Sequence, residues 1–154
     1  MRMKKFGSAA ASALTVAATL AGTVVGAAGT AGAASVEVIT LWYCDKPTVS
    51  VENLIGRNGQ FLCGGGFGRK MPVYTFDDGT VQTFYIGTDY AVWTYWTNPD
   101  ETRSPLVPLG GRAAGDVRIN AYNGGFVQLE VTGTDARHWF NNREVNGRWS
   151  GWFR

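Results

Sequence analysis

Residues 84–93 read FYIGTDYAVW, and residues 130–139 read EVTGTDARHW. The tripeptide Gly-Thr-Asp recurs 46 residues later, and so does the tryptophan that follows it, which is Trp93 in the first copy and Trp139 in the second. Ten positions hold this register without a gap, which is much harder to obtain by chance than one shared tripeptide. The chain is therefore predicted to contain two repeats, residues 63–108 and 109–154, with residues 35–62 as a diverged or partial unit.

Short β-branched and aromatic segments, separated by turns rich in Gly, Asn and Asp, fill the rest of the chain. No segment after residue 35 has a helical period, whereas several alternate with a period of two. Strands at this close spacing predict an all-β, antiparallel fold. The predicted strands are residues 36–43, 71–76, 81–86, 91–96, 116–122, 126–131 and 137–140.

A repeat of 46 residues with about four strands has the size of one β-propeller blade. One blade cannot bury both faces of its sheet, so blades stack side by side. Propellers typically need four or more blades, whereas this chain supplies two and a partial one. The pattern leaves three possibilities open: copies of the chain assemble into a homo-oligomer that completes a propeller, the chain is a fragment, or it adopts another closed architecture.

Three motifs resemble a known family. Residues 84–93 are similar to the blade signature F-V-x-G-T-D-x-A-L-W, residues 149–152 (WSGW) to the motif that follows it, and residues 109–111 (LGG) to the start of the next blade. Residues 63–154 thus resemble PLL-like β-propeller lectins, which are relatives of tectonin-type repeats. The resemblance implies sugar binding in pockets between neighbouring blades. The first repeat departs from it, with RSPL at residues 103–106 in place of WSGW.

The N-terminus has the pattern of a secretory signal peptide. Arg2, Lys4 and Lys5 precede a long Ala-rich stretch that ends in small residues, which predicts cleavage after Ala33 or Ala34. The alternative is an uncleaved membrane anchor, but Ala, Gly and Thr are only weakly driven into hydrocarbon. Residues 1–34 are therefore interpreted as a signal, and residues 35–154 as a single secreted β domain with no membrane association after cleavage.

The charge pattern argues against a nucleic-acid partner. The chain has 14 basic and 12 acidic residues, and only 17% of its residues are charged. Removing the three basic residues of the signal leaves a slightly acidic domain with no Lys/Arg run. A nucleic-acid-binding surface needs a concentrated basic face, which this composition does not supply.

Cys44 and Cys63 are the only cysteines, and both lie in the exported part. In an oxidising compartment such a pair predicts a disulfide. A metal pair is the alternative, but there is no CxxC motif and His138 is the only histidine. We therefore expect a disulfide, with no metal and no cofactor.

Candidate catalytic groups are few, so we expect no enzyme activity. No G-x-S-x-G motif is present, and His138 takes the place of Val92 in the repeat, which indicates a strand position. The acidic pairs at 77–78 and 100–101 fall in predicted turns. Asp89 and Asp135 follow Gly-Thr in equivalent turns, where a carboxylate accepts backbone N–H groups.

Aromatic side chains are the better candidates for ligand contact, because an indole ring matches the apolar face of a sugar. Trp93 and Trp139 repeat and are expected in the core. The predicted ligand-binding residues are Trp96, Trp149 and Trp152, with Arg137, Asn141 and Arg148 as partners for sugar hydroxyls.

The sequence thus predicts a secreted carbohydrate-binding module that recognises glycans or a cell-surface polysaccharide. The alternative is a secreted protein-binding or inhibitory β domain without a sugar site. If copies of the chain complete a propeller, Trp149 and Trp152 would line the new junctions, and assembly and sugar binding would be coupled.

Overall fold

The computed structural model describes residues 33–154, so the predicted signal peptide lies almost wholly outside the described residues. Within them the chain forms antiparallel strands and two single-turn 3-10 segments, which confirms the all-β prediction. The strands are β1 (Ser35–Thr40), β2 (Ser50–Asn53), β3 (Gln60–Cys63), β4 (Lys70–Thr75), β5 (Val81–Ile86), β6 (Val92–Thr97), β7 (Val107–Gly110), β8 (Ala113–Asn123), β9 (Phe126–Gly133) and β10 (His138–Arg143). Residues 33–154 contain no helix long and apolar enough to cross a membrane.

The strands form three sheets. The first has the order β1-β4-β5-β6-β7, the second has β9 between β8 and β10, and the third is the hairpin β2-β3. The hairpin and β7 were not predicted, because each of these strands has only four residues and β7 contains Pro108, which interrupts a strand pattern. The three sheets close neither into a barrel nor into a ring of blades in the part of the chain that is described.

The two Gly-Thr-Asp turns have the same hydrogen bonds. Asp89 Oδ1 accepts the Ala91 backbone N–H at 3.1 Å and the Trp93 indole N–H at 3.0 Å. In the second repeat, Asp135 Oδ1 accepts the Arg137 backbone N–H and the Trp139 indole N–H, each at 3.1 Å. The predicted turn-fixing role of the two aspartates is confirmed, and each also orients a tryptophan.

A second element of local structure also recurs after 46 residues. Ser104 Oγ accepts the backbone N–H of Trp96 at 2.8 Å, and Ser150 Oγ accepts that of Asn142 at 3.0 Å. In both copies the serine hydroxyl then donates to the carbonyl of the following residue. The repeated sequence therefore produces repeated backbone geometry at the turn after the third strand of each unit.

The first sheet is covered on both faces. One face carries Tyr74, Phe84, Ile86 and Val92, which pack against the second sheet. The other face carries residues that form a smaller core with the hairpin and the disulfide, namely Met71, Tyr85, Trp93 and Tyr95. The chain is therefore a stack of three layers, with the first repeat in the middle.

The second sheet is covered on one face only. Val127, Leu129 and Val131 of its central strand are buried against the first sheet, whereas the alternate residues face outward. The outward residues are polar and form cross-strand hydrogen bonds, with Gln128 between Asn120 and Asn142. At four outward positions the second repeat has polar residues where the first has apolar ones. Asn120, Glu130, Thr132 and His138 take the places of Tyr74, Phe84, Ile86 and Val92. This polar outer face ends the stack, because a polar sheet face does not need another layer.

Cys44 and Cys63 form the predicted disulfide, with their Cα atoms 5.4 Å apart. Both cysteines are fully buried, beside Leu54, Phe61 and Met71. The bond ties the 3-10 turn Trp42–Cys44 to β3 across 19 residues of chain. A cross-link of this loop length stabilises by about 3 kcal/mol in the chain-entropy model. It thus supports the layer that has the smallest core.

Tyr85 should make the free energy of unfolding depend on alkaline pH. Burial, with a smaller contribution from the neighbouring Tyr95, raises the pKa of Tyr85 from its usual 10 to about 12. The unfolded chain then loses the phenol proton first, so this contribution to stability is complete below pH 10 and is lost as the pH rises toward 12. Urea unfolding across this range should show the fall. Tyr85→Phe should have a shallower slope, with the rest carried by Tyr74 and Tyr43, whose pKa values are also raised by burial. An unchanged slope in the variant would contradict this assignment.

Candidate functional site

The two junctions between layers differ in the size of the side chains at equivalent positions. In the first junction the hairpin β2-β3 meets the first sheet, and in the second junction the first sheet meets β8–β10. Three large side chains of the first junction have smaller counterparts 46 residues later. The pairs are Phe61 and Val107, Tyr85 and Val131, and Tyr95 and Asn141. Residues of the second repeat take part in lining two openings of interest.

The larger opening, here named the inter-repeat cleft, has a volume of about 360 Å³. This falls in the range of small-molecule sites, roughly 300–1,000 Å³. Its walls come from both repeats of the same chain. It is lined by Phe76, Thr80, Gln82, Thr94, Trp96, Asn98, Val107, Arg143, Gly147 and Trp149.

Two tryptophans of the cleft come from different repeats. Trp96 lies on β6 of the first repeat and is half-buried, with its backbone N–H held by Ser104. Trp149 lies in the second repeat, packs edge-on against Phe84 at 5.9 Å between ring centroids, and is also half-buried. The Trp149 ring is therefore held by packing, and both tryptophans keep part of their surface accessible to a ligand.

Polar side chains of the cleft are fixed by hydrogen bonds at its base. Gln82 Nε2 donates to Thr94 Oγ1 at 2.9 Å, and the Thr94 hydroxyl donates to the Thr83 carbonyl at 2.9 Å. Near the entrance Asn98 Nδ2 donates to Thr102 Oγ1 at 2.8 Å. Amide and hydroxyl groups thus lie in the same cleft as aromatic rings, a combination that suits a ligand with both polar and apolar surfaces.

Arg143 gives the cleft a fixed positive charge. Its Nη1 donates to the Gly125 carbonyl at 2.9 Å, and its guanidinium lies 4.3 Å from the centre of the Phe76 ring. Burial lowers the pKa of Arg143, yet an arginine stays charged at neutral pH. The same side chain lines an adjoining opening with Asp77 and Asp78.

The second opening, here named the terminal pocket, has a volume of about 280 Å³. Trp139 and Trp152 form its apolar walls. It is lined by Gly111, Arg112, Val131, Gly133, Thr134, Asp135, Trp139 and Trp152. In the first repeat the counterpart of Val131 is Tyr85, a larger side chain that is buried in the core formed with the hairpin.

The six residues predicted to contact a ligand are not all brought together. Trp96 and Trp149 share the inter-repeat cleft, and Trp152 lines the terminal pocket. Asn141 is 1% exposed, and its Oδ1 accepts the Ser150 hydroxyl at 3.3 Å. Arg137 and Arg148 are exposed, and neither lines the cleft or the terminal pocket.

Two arginines of these openings were missed by the sequence reasoning. Arg143 and Arg112 line the cleft and the terminal pocket, and their counterparts in the first repeat are Thr97 and Gly66. The sequence did contain a signal for these arginines, because each is charged where the equivalent position of the first repeat is uncharged. Trp139 was expected in the core, and it packs there while its remaining surface lines the terminal pocket.

His138 lies on the polar outer face, where its Nδ1 is 2.6 Å from Glu130 Oε1. The His138 side chain is 65% exposed and that of Glu130 is 21% exposed, and neither residue lines the cleft or the terminal pocket. Within residues 33–154 no group of three or more His, Cys, Asp or Glu side chains is arranged to hold a metal ion. The predicted strand position of His138, at the start of β10, is confirmed.

Comparison with known proteins gives no relative from which function could be transferred. No protein-family model matches this sequence, and no curated protein matches it.

Proposed function

We propose that this protein is a secreted carbohydrate-binding module and that a glycan binds in the inter-repeat cleft. The observation that carries the proposal is the meeting of Trp96 and Trp149, one from each repeat, in a cleft with fixed amide and hydroxyl groups. A pyranose ring would place its apolar face on an indole and its hydroxyls against Gln82, Asn98 and Arg143. In this proposal each repeat acts as a blade-type unit.

A glycan array followed by titration tests this proposal. The chain from residue 34 onward is applied to immobilised neutral and acidic glycans, and each positive glycan is titrated while tryptophan fluorescence is recorded. Saturable binding with a change in fluorescence supports the proposal. The absence of saturable binding to every glycan class would refute it.

Assembly is a separate element of the proposal. Both walls of the cleft belong to one chain, so a monomer already has a complete cleft. We therefore expect binding to be independent of any assembly into a ring, in contrast to the coupling suggested by the sequence. Light scattering with and without glycan measures this, and a monomer that fails to bind while an oligomer binds would contradict it.

Secretion is proposed from the signal sequence together with one contact. The Ala34 backbone N–H donates to Asp77 Oδ1 at 2.7 Å. Cleavage after Ala33 would turn this amide into an ammonium and the hydrogen bond into an ion pair, which favours that position over cleavage after Ala34. Intact-mass measurement of secreted protein distinguishes the two.

The alternative function is a protein-binding or inhibitory β domain, and one observation favours it. Several large apolar side chains that precede the two repeats are exposed, namely Val38, Ile39, Trp42, Val51 and Ile55. Exposed apolar patches of this kind mark protein contacts. A chain that binds no glycan, but whose complex with a target protein is lost on replacing Trp42 or Ile55 with a polar residue, would establish this alternative.

A further inference from the structure

The terminal pocket offers two indole faces whose N–H groups are already engaged. Trp152 Nε1 donates to the Leu109 carbonyl at 2.9 Å, and Trp139 Nε1 donates to Asp135 Oδ1 at 3.1 Å. Gly111 allows this arrangement, because a Cβ atom there would lie 2.9 Å from Trp152 Nε1. The rings therefore cannot donate hydrogen bonds to a ligand without losing these contacts, and they are suited to stacking.

Three arginines lie in or beside the terminal pocket. Arg112 lines it, and Arg137, which precedes β10, is close enough to Asp135 for its charge to help lower the pKa of that carboxyl. Arg154 places its guanidinium 5.0 Å from the centre of the Trp139 ring. None of the three guanidinium groups makes a hydrogen bond or ion pair with any of residues 33–154 at usual contact distances.

The one carboxylate at the pocket is already engaged. Asp135 accepts the Trp139 indole N–H and the Arg137 backbone N–H. The first of these, with further help from the backbone and from the Arg137 charge, lowers the pKa of Asp135. Asp135 therefore remains ionised and offsets only one of the three positive side chains.

The arginines are specific to the second repeat. Their counterparts 46 residues earlier are Gly66, Ala91 and Pro108, none of which is charged. The lining of the pocket also differs between the repeats, because the first repeat has the larger Tyr85 at the position of Val131. The repeat can therefore be built without these arginines, which leaves them available to contact a ligand.

We propose that the terminal pocket binds a sugar that carries a carboxylate, with the pyranose ring on Trp139 or Trp152 and the carboxylate on Arg112 and Arg137. A planar guanidinium matches a carboxylate with two parallel hydrogen bonds, and Arg154 adds positive charge at the rim. Uronic acids of polysaccharides and sialic acids of glycoproteins share this chemistry. The inference depends on the proposed glycan-binding function and names a second site with its own ligand class.

The experiment compares acidic glycans with matched neutral ones. One arm uses a uronic-acid oligosaccharide and the same oligosaccharide after reduction of its carboxyl groups, and the other uses sialyllactose and lactose. Kd is measured for the parent chain, for Arg112→Gln/Arg137→Gln, and for Arg118→Gln as the control. Arg118 lies on the opposite face of the sheet, where it pairs with Asp116.

We expect the double variant to bind the acidic sugar at least tenfold more weakly, roughly the effect of losing one charge-assisted contact. Binding of the neutral sugar to the cleft should be unchanged, and Arg118→Gln should match the parent. The arm that shows the larger preference for the acidic member identifies uronate or sialate as the source of the carboxylate. Because the three replaced side chains are exposed, the variants should fold, which circular dichroism verifies.

The outcomes separate the two proposals. Neutral binding in the cleft, with no preference for the carboxylate or no effect of the double variant, would overturn the acidic-sugar site and leave the proposed function standing. Binding of the acidic sugar alone, sensitive to the arginines, would support the acidic-sugar site and overturn the cleft as the glycan site. Failure to bind either class would refute both.

Discussion

Replacing Trp149 with alanine should weaken glycan binding to the inter-repeat cleft by roughly thirtyfold or more, since truncating a central aromatic contact costs about 2 kcal/mol or more. The ring is one wall of the cleft, and no other aromatic side chain of the second repeat lines it. Trp149→Phe should keep part of the affinity, because the smaller ring still offers a flat face. Isothermal titration calorimetry with the best array glycan gives the ratio.

Two controls separate lost contact from lost folding. Trp149 also packs on Phe84, so its removal lowers stability as well, and thermal unfolding must establish that the variant is folded at the titration temperature. Trp96→Ala removes the opposite wall and should weaken binding comparably. Trp42 is 75% exposed and lies in the diverged unit of residues 35–62, outside the cleft. Trp42→Ala should therefore leave Kd unchanged. Full affinity in both Trp149→Ala and Trp96→Ala would remove the cleft from consideration.

Gly87→Ala should lower the free energy of unfolding by roughly 2–4 kcal/mol, the sum expected from overpacking and a lost hydrogen bond. A Cβ atom at residue 87 would lie 2.6 Å from Trp93 Nε1 and 2.7 Å from Asp89 Oδ1. Those are the two atoms that hydrogen-bond in the turn, and Gly87 itself is buried. The added methyl group therefore pushes the indole and the carboxylate apart.

The corresponding change in the second repeat is Gly133→Ala, where the contacts are 2.7 Å to Asp135 Oδ1 and 2.9 Å to Trp139. It should destabilise as well, and it should also disturb the terminal pocket. Gly115→Ala is the matched control, because its nearest contact would be an ordinary 3.4 Å and its cost should stay below about 1 kcal/mol. Urea unfolding gives all three values, and equal effects of Gly87→Ala and Gly115→Ala would contradict the role of the turn.

The fold was predictable where local pattern and repeat agreed. Residues 81–86 were predicted as a strand and form β5, and the cysteine pair and the aspartate-fixed turns were also predicted correctly. The hairpin β2-β3 was missed because residues 35–62 lack the repeat and its strands are too short to show a period. The N-terminal strand was predicted to reach Tyr43, whereas β1 ends at Thr40 and a 3-10 turn follows.

The candidate site was predictable only in part, because it depends on which face of a strand meets which layer. Trp96 and Trp149 were named from the sequence, but their shared cleft follows from the stacking of the two sheets. Asn141 was named as a hydroxyl partner, yet it takes the place of Tyr95 on a face that packs inward. Arg112 and Arg143 were overlooked because the pattern of one strand does not show where a neighbouring strand has a smaller side chain than its counterpart in the other repeat.

The polar outer face has a consequence for how such a protein could lengthen. The first repeat is apolar on both faces and can sit between two layers, whereas the second accepts a neighbour on one side only. Inserting further copies of residues 63–108 would extend the stack, and each copy would add another cleft. Adding a copy after residues 109–154 would not, because Asn120, Gln128 and Asn142 hydrogen-bond to one another across a polar face. The second repeat therefore terminates the stack, and the number of repeats before it sets the number of clefts.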